Sequence, residues 1–311
     1  MGPLTLFTNI FSEPSLNPIQ YLGRCLRKRL NTNQCQRCVS SCPSGAVALN
    51  ARDILFIEEK CTGCMSCTAA CPQDAFESEY DLNELLRACK SGSNVVISCA
   101  RQKPTGPDEI VLPCVGILSK QVLSAIFFTD SKSVAINVSG CAGCCNQVVS
   151  DSFVNDYKQI TEVLAEVKIT NTILIHNEEQ LHDIIVDRRL YLTNIRKFAT
   201  TVTKKSFATN RATLPYEKET PRRIPLKVRL LKELVAELET ESRIKILELF
   251  NQQLSINDNC TVCPLCKGIC PTGAIQIERS EGGKKLKFNP LDCNGCGLCA
   301  EFCKKDALLI Y

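Results

Sequence analysis

Cysteine is the residue type through which this chain could do chemistry, because its thiolate binds metals and its thiol can be oxidised. The 311 residues include 22 cysteines, a density typical of either a disulfide-linked secreted scaffold or a metalloprotein. Most of them fall into two stretches in which cysteines are separated by two, two and three residues. In this pattern three cysteines surround one iron–sulfur cluster and the fourth binds a second cluster.

The carboxyl-terminal stretch, residues 256–311, carries the pattern twice. Because the fourth cysteine of each copy binds the cluster of the other copy, the stretch predicts two [4Fe–4S] clusters with crossed ligation. The predicted ligand sets are named site 3 (Cys270, Cys293, Cys296 and Cys299) and site 4 (Cys260, Cys263, Cys266 and Cys303).

The amino-terminal stretch repeats the pattern, but its first copy lacks the leading cysteine, because Thr32 stands where that cysteine is expected. Crossed ligation predicts two further [4Fe–4S] clusters here. The ligand sets are named site 1 (Cys35, Cys38, Cys71 and a fourth ligand) and site 2 (Cys42, Cys61, Cys64 and Cys67).

The fourth ligand of site 1 has to come from outside the regular spacing. Cys25 is the nearest upstream thiol, at the end of a short basic helix predicted over residues 17–30, begun by Asn17 and Pro18. We expect Cys25 to complete site 1. Otherwise site 1 holds a [3Fe–4S] cluster or a [4Fe–4S] cluster with one non-cysteine ligand, and Cys25 is an ordinary helix residue.

Both stretches resemble the bacterial dicluster ferredoxins. The resemblance is carried by runs such as Cys260-Thr-Val-Cys263-Pro-Leu-Cys266 and by a phrase that recurs after each fourth cysteine, as in Pro-Ser-Gly-Ala-Val-Ala-Leu and Lys-Lys-Asp-Ala-Leu-Leu-Ile. One departure is Lys304, which replaces a proline common in the motif. The resemblance implies α+β ferredoxin-like modules at both ends, named module 1 (31–80) and module 2 (256–311). Zinc ribbons also use Cys-x-x-Cys pairs, but they need neither the third cysteine nor a fourth one followed by proline.

Between the modules, residues 81–187 alternate short apolar runs with stretches of helical periodicity. Strands are predicted at 94–98, 110–113, 133–138 and 172–176, and helices at 81–90, 116–128 and 152–168. Strands that alternate with helices indicate a mostly parallel sheet. The sequence therefore predicts a central α/β domain between the two modules.

The cysteines of the central domain follow its predicted strands. Cys99 follows the first strand, Cys114 the second, and Cys141, Cys144 and Cys145 the third. The carboxyl ends of parallel strands meet at one edge of a sheet, where ligand sites form. We predict a further cluster at this central site, of the [2Fe–2S] type, held by the first three thiols and one of the last two. The alternative is a group of buried apolar thiols.

Residues 90–150 resemble the delta subunit of methyl-viologen-reducing hydrogenases. The resemblance is carried by Val-Leu-Pro-Cys114-Val-Gly and by Val-Ser-Gly-Cys141-Ala-Gly-Cys144-Cys145. It implies a small α/β domain with a [2Fe–2S] cluster and a flavin-containing partner of the heterodisulfide-reductase type. The chain departs from the family in that Cys99 stands alone rather than in a Cys-x-x-Cys pair.

Residues 188–255 are predicted to be a basic linker followed by a helix. Residues 188–229 contain 12 lysines and arginines and only two acidic residues. This segment is either a solvated tether or a basic strap that lies against the cluster modules or binds a partner. Pro225 then begins a helix predicted over 226–254. The whole chain thus divides into an amino-terminal segment (1–30), module 1 (31–80), the central domain (81–187), this linker and helix (188–255) and module 2 (256–311).

Composition excludes several functions and indicates a compartment. The formal charge of +4 overstates the basicity, because thiolate-bound clusters would bring it to about −4, so nucleic-acid binding is not predicted. No apolar run approaches the ~20 residues that a membrane span requires. No secretory signal is visible. We therefore expect a protein of the reducing cytoplasm, used in anaerobic metabolism.

Motifs for other chemistry are absent from the sequence. There is no Gly-x-Gly-x-x-Gly, no P-loop and no acid–base constellation. The sequence predicts an electron-transfer subunit of an oxidoreductase complex. We expect it to relay single electrons from a low-potential donor, such as a flavoprotein or hydrogenase-type complex, to a reductase subunit. The alternative is a thiol or disulfide reductase, which the adjacent Cys144 and Cys145 motivate.

Overall fold

The computed structural model describes residues 16–51, 53–90, 94–102, 109–129, 133–165, 172–177, 179–180, 222–236, 238–250 and 253–310. The predicted amino-terminal segment up to residue 15 and most of the predicted basic linker, 181–221, lie outside the described residues.

Module 1 includes residues 19–30 of the predicted amino-terminal segment, because Ile19 and Gln20 pair with its last strand. It is built from short elements that surround two groups of cysteines. Strand β1 pairs with β4 and β2 pairs with β3, both antiparallel. Val47, Ile54 and Phe76 are buried among the cysteines and form the apolar core of the module. The elements are β1 (Ile19–Gln20), α1 (Leu26–Arg29), α2 (Arg37–Ser40), β2 (Val47–Asn50), β3 (Asp53–Phe56), α3 (Ser66–Ala70) and β4 (Phe76–Glu77).

The helix predicted over 17–30 is wrong. Ile19 and Gln20 form β1, which pairs with β4, and the Tyr21 amide donates a hydrogen bond to the Ala75 carbonyl at 2.8 Å. A 3₁₀ turn, Leu22–Arg24, follows, and only Leu26–Arg29 is α-helical. Pairing with a distant strand therefore overrides the local helical signal.

The central domain contains the predicted parallel sheet. Its strands lie in the order β6-β5-β7-β8 and all neighbours are parallel. Asp81 caps α4 by accepting a hydrogen bond from the Asn83 amide at 2.9 Å. The elements are α4 (Leu82–Cys89), β5 (Val95–Cys99), β6 (Ile110–Leu112), α5 (Lys120–Phe127), β7 (Val134–Asn137), α6 (Gln147–Ala165) and β8 (Thr172–Ile175).

Two helices, α7 (Leu226–Ala236) and α8 (Thr240–Leu249), connect the central domain to module 2. The single helix predicted over 226–254 is wrong, because the chain restarts a helix after Glu239 and its last residues enter a strand. Leu231 and Val235 of α7 are fully buried in the core of the central domain. The same helix packs against the 3₁₀ turn Pro290–Asp292 of module 2.

Module 2 repeats the plan of module 1. Strand β9 pairs with β12 and β10 pairs with β11, both antiparallel. The elements are β9 (Leu254–Ile256), α9 (Leu265–Ile269), β10 (Ile275–Ser280), β11 (Gly283–Phe288), α10 (Leu298–Glu301) and β12 (Leu308–Ile310).

The phrase that recurs after each fourth cysteine has the same conformation in all four copies. One residue has a positive φ, which favours glycine and is tolerated by aspartate. The alanine that follows it is buried, and a strand begins within the next few residues. The positive-φ residues are Gly45, Asp74, Gly273 and Asp306, and the buried alanines are Ala46, Ala75, Ala274 and Ala307.

None of the helices in the described part of the chain is both long enough and apolar enough to cross a membrane.

Candidate metal centres

At site 2, the chain wraps a tight loop around the thiols of one cysteine copy. Gly63 has a φ of 67° and its amide donates a hydrogen bond to the Cys61 sulfur at 3.4 Å. Burial raises the pKa of Cys67, and the neighbouring thiols of Cys64, Cys61 and Cys42 raise it further. The structure thus brings together the four cysteines that crossed ligation assigns to this site.

Site 3 in module 2 has the same loop. The Gly295 amide donates to the Cys293 sulfur at 3.4 Å. Burial raises the pKa of Cys299 to about 12, and the thiols of Cys296, Cys293 and Cys270 add to the effect. Cys270, from the other copy of the pattern, is therefore beside the three cysteines of this loop.

Site 4 lines a small cavity in module 2. Burial raises the pKa of Cys266, as do the nearby thiols of Cys263 and Cys260. The Ala307 amide donates to the Cys303 sulfur at 3.4 Å. All four predicted ligands of site 4 line this cavity: Cys260, Cys263, Cys266 and Cys303.

Site 1 lines a small apolar cavity in module 1, and Cys25 is part of its wall. Burial raises the pKa of Cys38 to about 12, and the thiols of Cys71, Cys35 and Cys25 raise it further. The Ala75 amide donates to the Cys71 sulfur at 3.2 Å, as the Ala307 amide does to Cys303. Cys25 therefore lies where the fourth ligand of site 1 is needed.

Cys25 also has the backbone environment of a leading cysteine. Like Cys61, Cys25 follows a 3₁₀ turn and its backbone amide donates a hydrogen bond back into that turn, from Cys25 to the Leu22 carbonyl at 3.0 Å and from Cys61 to the Glu58 carbonyl at 2.9 Å. The φ and ψ angles of Cys25, −64° and 135°, are close to the −70° and 127° of Cys61. Cys25 thus matches a leading cysteine in backbone conformation, and residues 26–34, named the insertion, separate it from Cys35 and interrupt the regular spacing.

The donor sets of the four sites fit [4Fe–4S] clusters. Each site offers four thiols, and backbone amides point at sulfur atoms in all of them. Among the described residues, no three histidine, cysteine or acidic side chains converge as ligands of a single metal ion would. An iron–sulfur cluster held by four cysteines does not require such convergence, since each thiolate binds a different iron.

At the central site, the thiols of three strand ends lie together at the edge of the sheet. Burial raises the pKa of Cys114 to about 12, and the thiols of Cys99, Cys64 and Cys141 contribute. Cys141 in turn interacts with Cys144. Cys145 is exposed. The structure therefore places Cys144 beside Cys141, leaves Cys145 exposed, and adds a neighbour of Cys114 from module 1, Cys64.

Asn146 is a residue of the central site that sequence reasoning missed. It is buried, its amide donates to the Cys144 sulfur at 3.5 Å, and its side-chain Nδ2 lies 4.0 Å from the Cys114 sulfur. The same Nδ2 donates to the Thr62 carbonyl at 3.3 Å, in the loop of site 2. Only its position directly after Cys145 could have drawn attention to it.

Lys227 is a second residue that the sequence did not single out. Its Nζ donates to three carbonyls at the end of α3, those of Thr68 at 2.7 Å, Ala69 at 2.7 Å and Cys71 at 2.6 Å. Asp74 lies 3.9 Å away. Burial lowers the pKa of Lys227, while the carboxylate of Asp74 and the thiol of Cys71 raise it. A cation therefore lies between site 1 and site 2.

Further basic residues at the described end of the basic segment contact the modules. Arg223 forms an ion pair with Glu77 of module 1. Arg222 donates to the Lys267 carbonyl of module 2 at 2.8 Å. This end of the segment therefore lies against both modules.

Comparisons with known proteins match the two modules. Residues 32–76 match the family model of a 4Fe-4S dicluster domain, and residues 259–307 match a second model of a 4Fe-4S dicluster domain. No solved structure matches the chain.

Relatives with similar sequences match short stretches. The polyferredoxin protein MvhB of Methanothermobacter marburgensis is 41% identical over 58 residues, which is 16% of this chain and 14% of the relative. The pyruvate synthase subunit PorD of Thermotoga maritima is 43% identical over 51 residues, 16% of this chain and 48% of the relative. An uncharacterized ferredoxin of Methanocaldococcus jannaschii is 32% identical over 53 residues, 17% of this chain and 69% of its own length. The chain thus spans less than half the length of the first two.

Proposed function

We propose, from the premise that this chain belongs to the ferredoxin family, that it relays single electrons between a low-potential donor protein and a catalytic reductase subunit. It is an iron–sulfur electron-transfer protein that resembles polyferredoxins and is homologous to subunits of oxidoreductase complexes. The observation that carries the proposal is the grouping of 16 cysteines into four sets of four, each with the thiols that a [4Fe–4S] cluster requires.

The residues proposed to hold the clusters are those of sites 1 to 4, with Cys25 completing site 1. When bound, such a cluster accepts and gives up one electron at a time, at a reduction potential set by its surroundings. The chain supplies those surroundings. Backbone amides donate hydrogen bonds to ligand sulfurs, as at Cys61 and Cys71, and stabilise the negative charge of the thiolates.

For the central site we propose a [2Fe–2S] cluster held by Cys99, Cys114, Cys141 and Cys144. The grouping of these thiols supports the proposal. So does the resemblance of residues 90–150 to the hydrogenase delta subunit, from which we also propose a flavin-containing or hydrogenase-type partner. Thiolate ligands require a reducing environment, so we propose the cytoplasm of an organism with anaerobic metabolism.

Anaerobic purification with iron and sulfide counting tests the proposal. We expect about 18 irons per chain, four sets of four and one of two, together with EPR signals that appear on reduction by dithionite. The reduced protein is expected to return electrons to cytochrome c, used as a one-electron acceptor. Bound zinc without inorganic sulfide would overturn the proposal, as would a complement of iron that dithionite does not reduce.

A second candidate function, a thiol or disulfide reductase, is favoured by one observation, the exposed thiol of Cys145. It predicts that the dithionite-reduced protein cleaves a small disulfide such as hydroxyethyl disulfide and that Cys145→Ala abolishes this activity. If reduction of cytochrome c is retained while the disulfide is left intact, the reductase is excluded.

A further inference from the structure

The insertion in module 1 contacts module 2. Arg29 donates a hydrogen bond to the Ile269 carbonyl at 3.0 Å, next to Cys270 of site 3. Thr32 and Asn33 both donate to the carboxylate of Glu301, on helix α10, which also carries Cys299. The residues that separate Cys25 from the regular pattern thus hold the two modules together.

The ligand loops of site 1 and site 3 are also joined directly. Arg37, which precedes Cys38, donates to the Gly295 carbonyl at 2.8 Å. In the opposite direction, Asn294 donates to the Pro72 carbonyl, next to Cys71, at 2.8 Å. These two reciprocal bonds join residues adjacent to ligands of the two sites.

On its other side, module 1 contacts the central site through the loop of site 2. The Thr62 carbonyl accepts hydrogen bonds from Arg101 at 2.8 Å and from Asn146 at 3.3 Å. A Cβ atom on Gly116 would lie 2.3 Å from the Cys64 carbonyl oxygen. Glycine is therefore required for this approach, and it brings the strand-end loop of Cys114 against the site 2 loop.

Within each module, crossed ligation keeps the two sites adjacent. In module 1, Cys38 of site 1 and Cys67 of site 2 lie in one buried cluster, and the helices α2 and α3 that carry them pack together. In module 2, Cys299 of site 3 and Cys266 of site 4 share a buried cluster in the same way, between α10 and α9. The adjacency within each module, the contact between sites 1 and 3 and the contact between site 2 and the central site together give the five sites a spatial order. That order differs from their order along the chain.

We infer that the five cysteine sites form one row in the order site 4, site 3, site 1, site 2 and central site, with module 1 in the middle and partner proteins reaching only the two ends. The inference rests on the proposed function, in which an electron lost by a donor at one end is gained by an acceptor at the other.

Among the 22 cysteines, all of which lie in the described part of the chain, the exposed ones are Cys263 of site 4 and Cys145 beside the central site. Exposure at the two ends is what a row of this order requires.

The junction between the modules is tested by the double variant Arg37→Glu and Asn294→Ala. The variant removes both reciprocal hydrogen bonds and places a negative charge near the negatively charged clusters, but it keeps every cysteine ligand. The control is Arg279→Glu, on the exposed strand β10 of module 2. Iron and sulfide are counted first, so that a failure of cluster binding, which concerns the proposed function, is separated from a failure of the row.

In the double variant we expect full cluster content, faster hydrogen–deuterium exchange in peptides covering 29–38 and 291–301, and loss of the magnetic interaction between sites 1 and 3 in the EPR spectrum of the reduced protein. The control should match the wild type in all three. If the double variant and the control have the same exchange rates and the same magnetic interaction, the proposed contact between the modules is wrong.

The ends of the row are tested with dysprosium–EDTA, a chelate too large to enter the protein, which relaxes the electron spins of clusters near the surface. We expect the signals of site 4 and the central site to relax several-fold faster in its presence, and that of site 1 to change least. Signals are assigned by comparison with variants that lack one ligand of each site. Equal relaxation of site 1 and site 4 would exclude the inferred order.

Discussion

Modules 1 and 2 share one ligand pattern and one arrangement of strands, yet their surroundings differ. Module 2 has a long hairpin, with six residues in each of β10 and β11, and an exposed ligand, Cys263. Module 1 has shorter strands, an insertion after its leading cysteine and contacts with module 2 on one side and the central domain on the other. The ligand motif therefore specifies what each module binds, and the contacts around it specify where the module stands among its neighbours.

The difference is also electrostatic. In module 1, the ammonium of Lys227, from α7, donates hydrogen bonds to the last turn of α3. In module 2, the exposed β10–β11 hairpin has an ion pair between Lys287 and Glu278 at 2.6 Å. An exposed pair is screened by water and contributes little, and a cation next to buried ligands acts strongly. Two modules with nearly the same motif can thus have different reduction potentials.

The largest effect is expected from Cys71→Ala, which removes a ligand from site 1. We expect the iron content to fall by about four atoms per chain, because the cluster loses one of its four anchors. Cys89→Ala serves as the control, since Cys89 is equally a buried cysteine but lies outside the five sites. The Cys89→Ala variant is expected to keep all its iron and to have an unfolding free energy lower by about 1 kcal/mol. Equal iron loss in both variants would contradict the assignment.

Cys25→Ala tests whether the insertion in module 1 leaves its ligand set equivalent to that of module 2. If Cys25 binds iron, the variant should lose between about one and four irons. Where a [3Fe–4S] cluster remains, the oxidised protein should show an EPR signal, because that cluster is paramagnetic when oxidised. The matched variant is Cys260→Ala in module 2, for which we expect a similar loss. Full [4Fe–4S] content in Cys25→Ala alone would show that site 1 uses another ligand.

Lys227→Met is expected to lower the reduction potentials of site 1 and site 2 and leave those of sites 3 and 4 unchanged. Removal of a positive charge makes the addition of an electron less favourable. Three carbonyl groups also lose their donor, which should cost about 1–3 kcal/mol of stability.

Redox titration followed by EPR measures the shift in Lys227→Met. The control is Lys287→Met on the module 2 hairpin, for which no shift is expected. A shift of all four potentials by the same amount would mean that Lys227 acts through the fold as a whole and not through its position.

The smallest effect compares the two aspartates with positive φ. Asp74 and Asp306 have φ angles of 48° and 47°, a conformation in which glycine is less strained. Asp306→Gly should therefore change the stability by no more than about 0.5 kcal/mol. The Asp74 carboxylate accepts a hydrogen bond from the Leu226 amide at 3.0 Å, so Asp74→Gly should destabilise the protein by about 1–2 kcal/mol. Anaerobic thermal unfolding with a spectroscopic probe of the clusters distinguishes the two, and the same melting temperature for both would refute the comparison.

Much of the fold could be predicted because its signals are local. The alternation of strands and helices indicated the parallel sheet. The predictions that failed concern segments whose structure depends on distant partners. Residues 17–30 lack the predicted helix because Ile19 pairs with Glu77, and the helix predicted over 226–254 stops because Leu254 pairs with Ile310.

The sequence by itself determined which cysteines of the regular motifs lie together, because a loop of two residues between cysteines leaves little freedom in where the thiols point. It predicted that Cys25 joins site 1, but it could not determine that Cys25 has the backbone conformation of a leading cysteine, or that Lys227 lies between two sites. Nor could it determine that Arg37 bonds to Gly295, 258 residues away. Such contacts join side chains to backbone carbonyls that every residue possesses, so they leave no recognisable pattern in the sequence. Only the tertiary structure decided that the amino-terminal module contacts both of the other cysteine-bearing units.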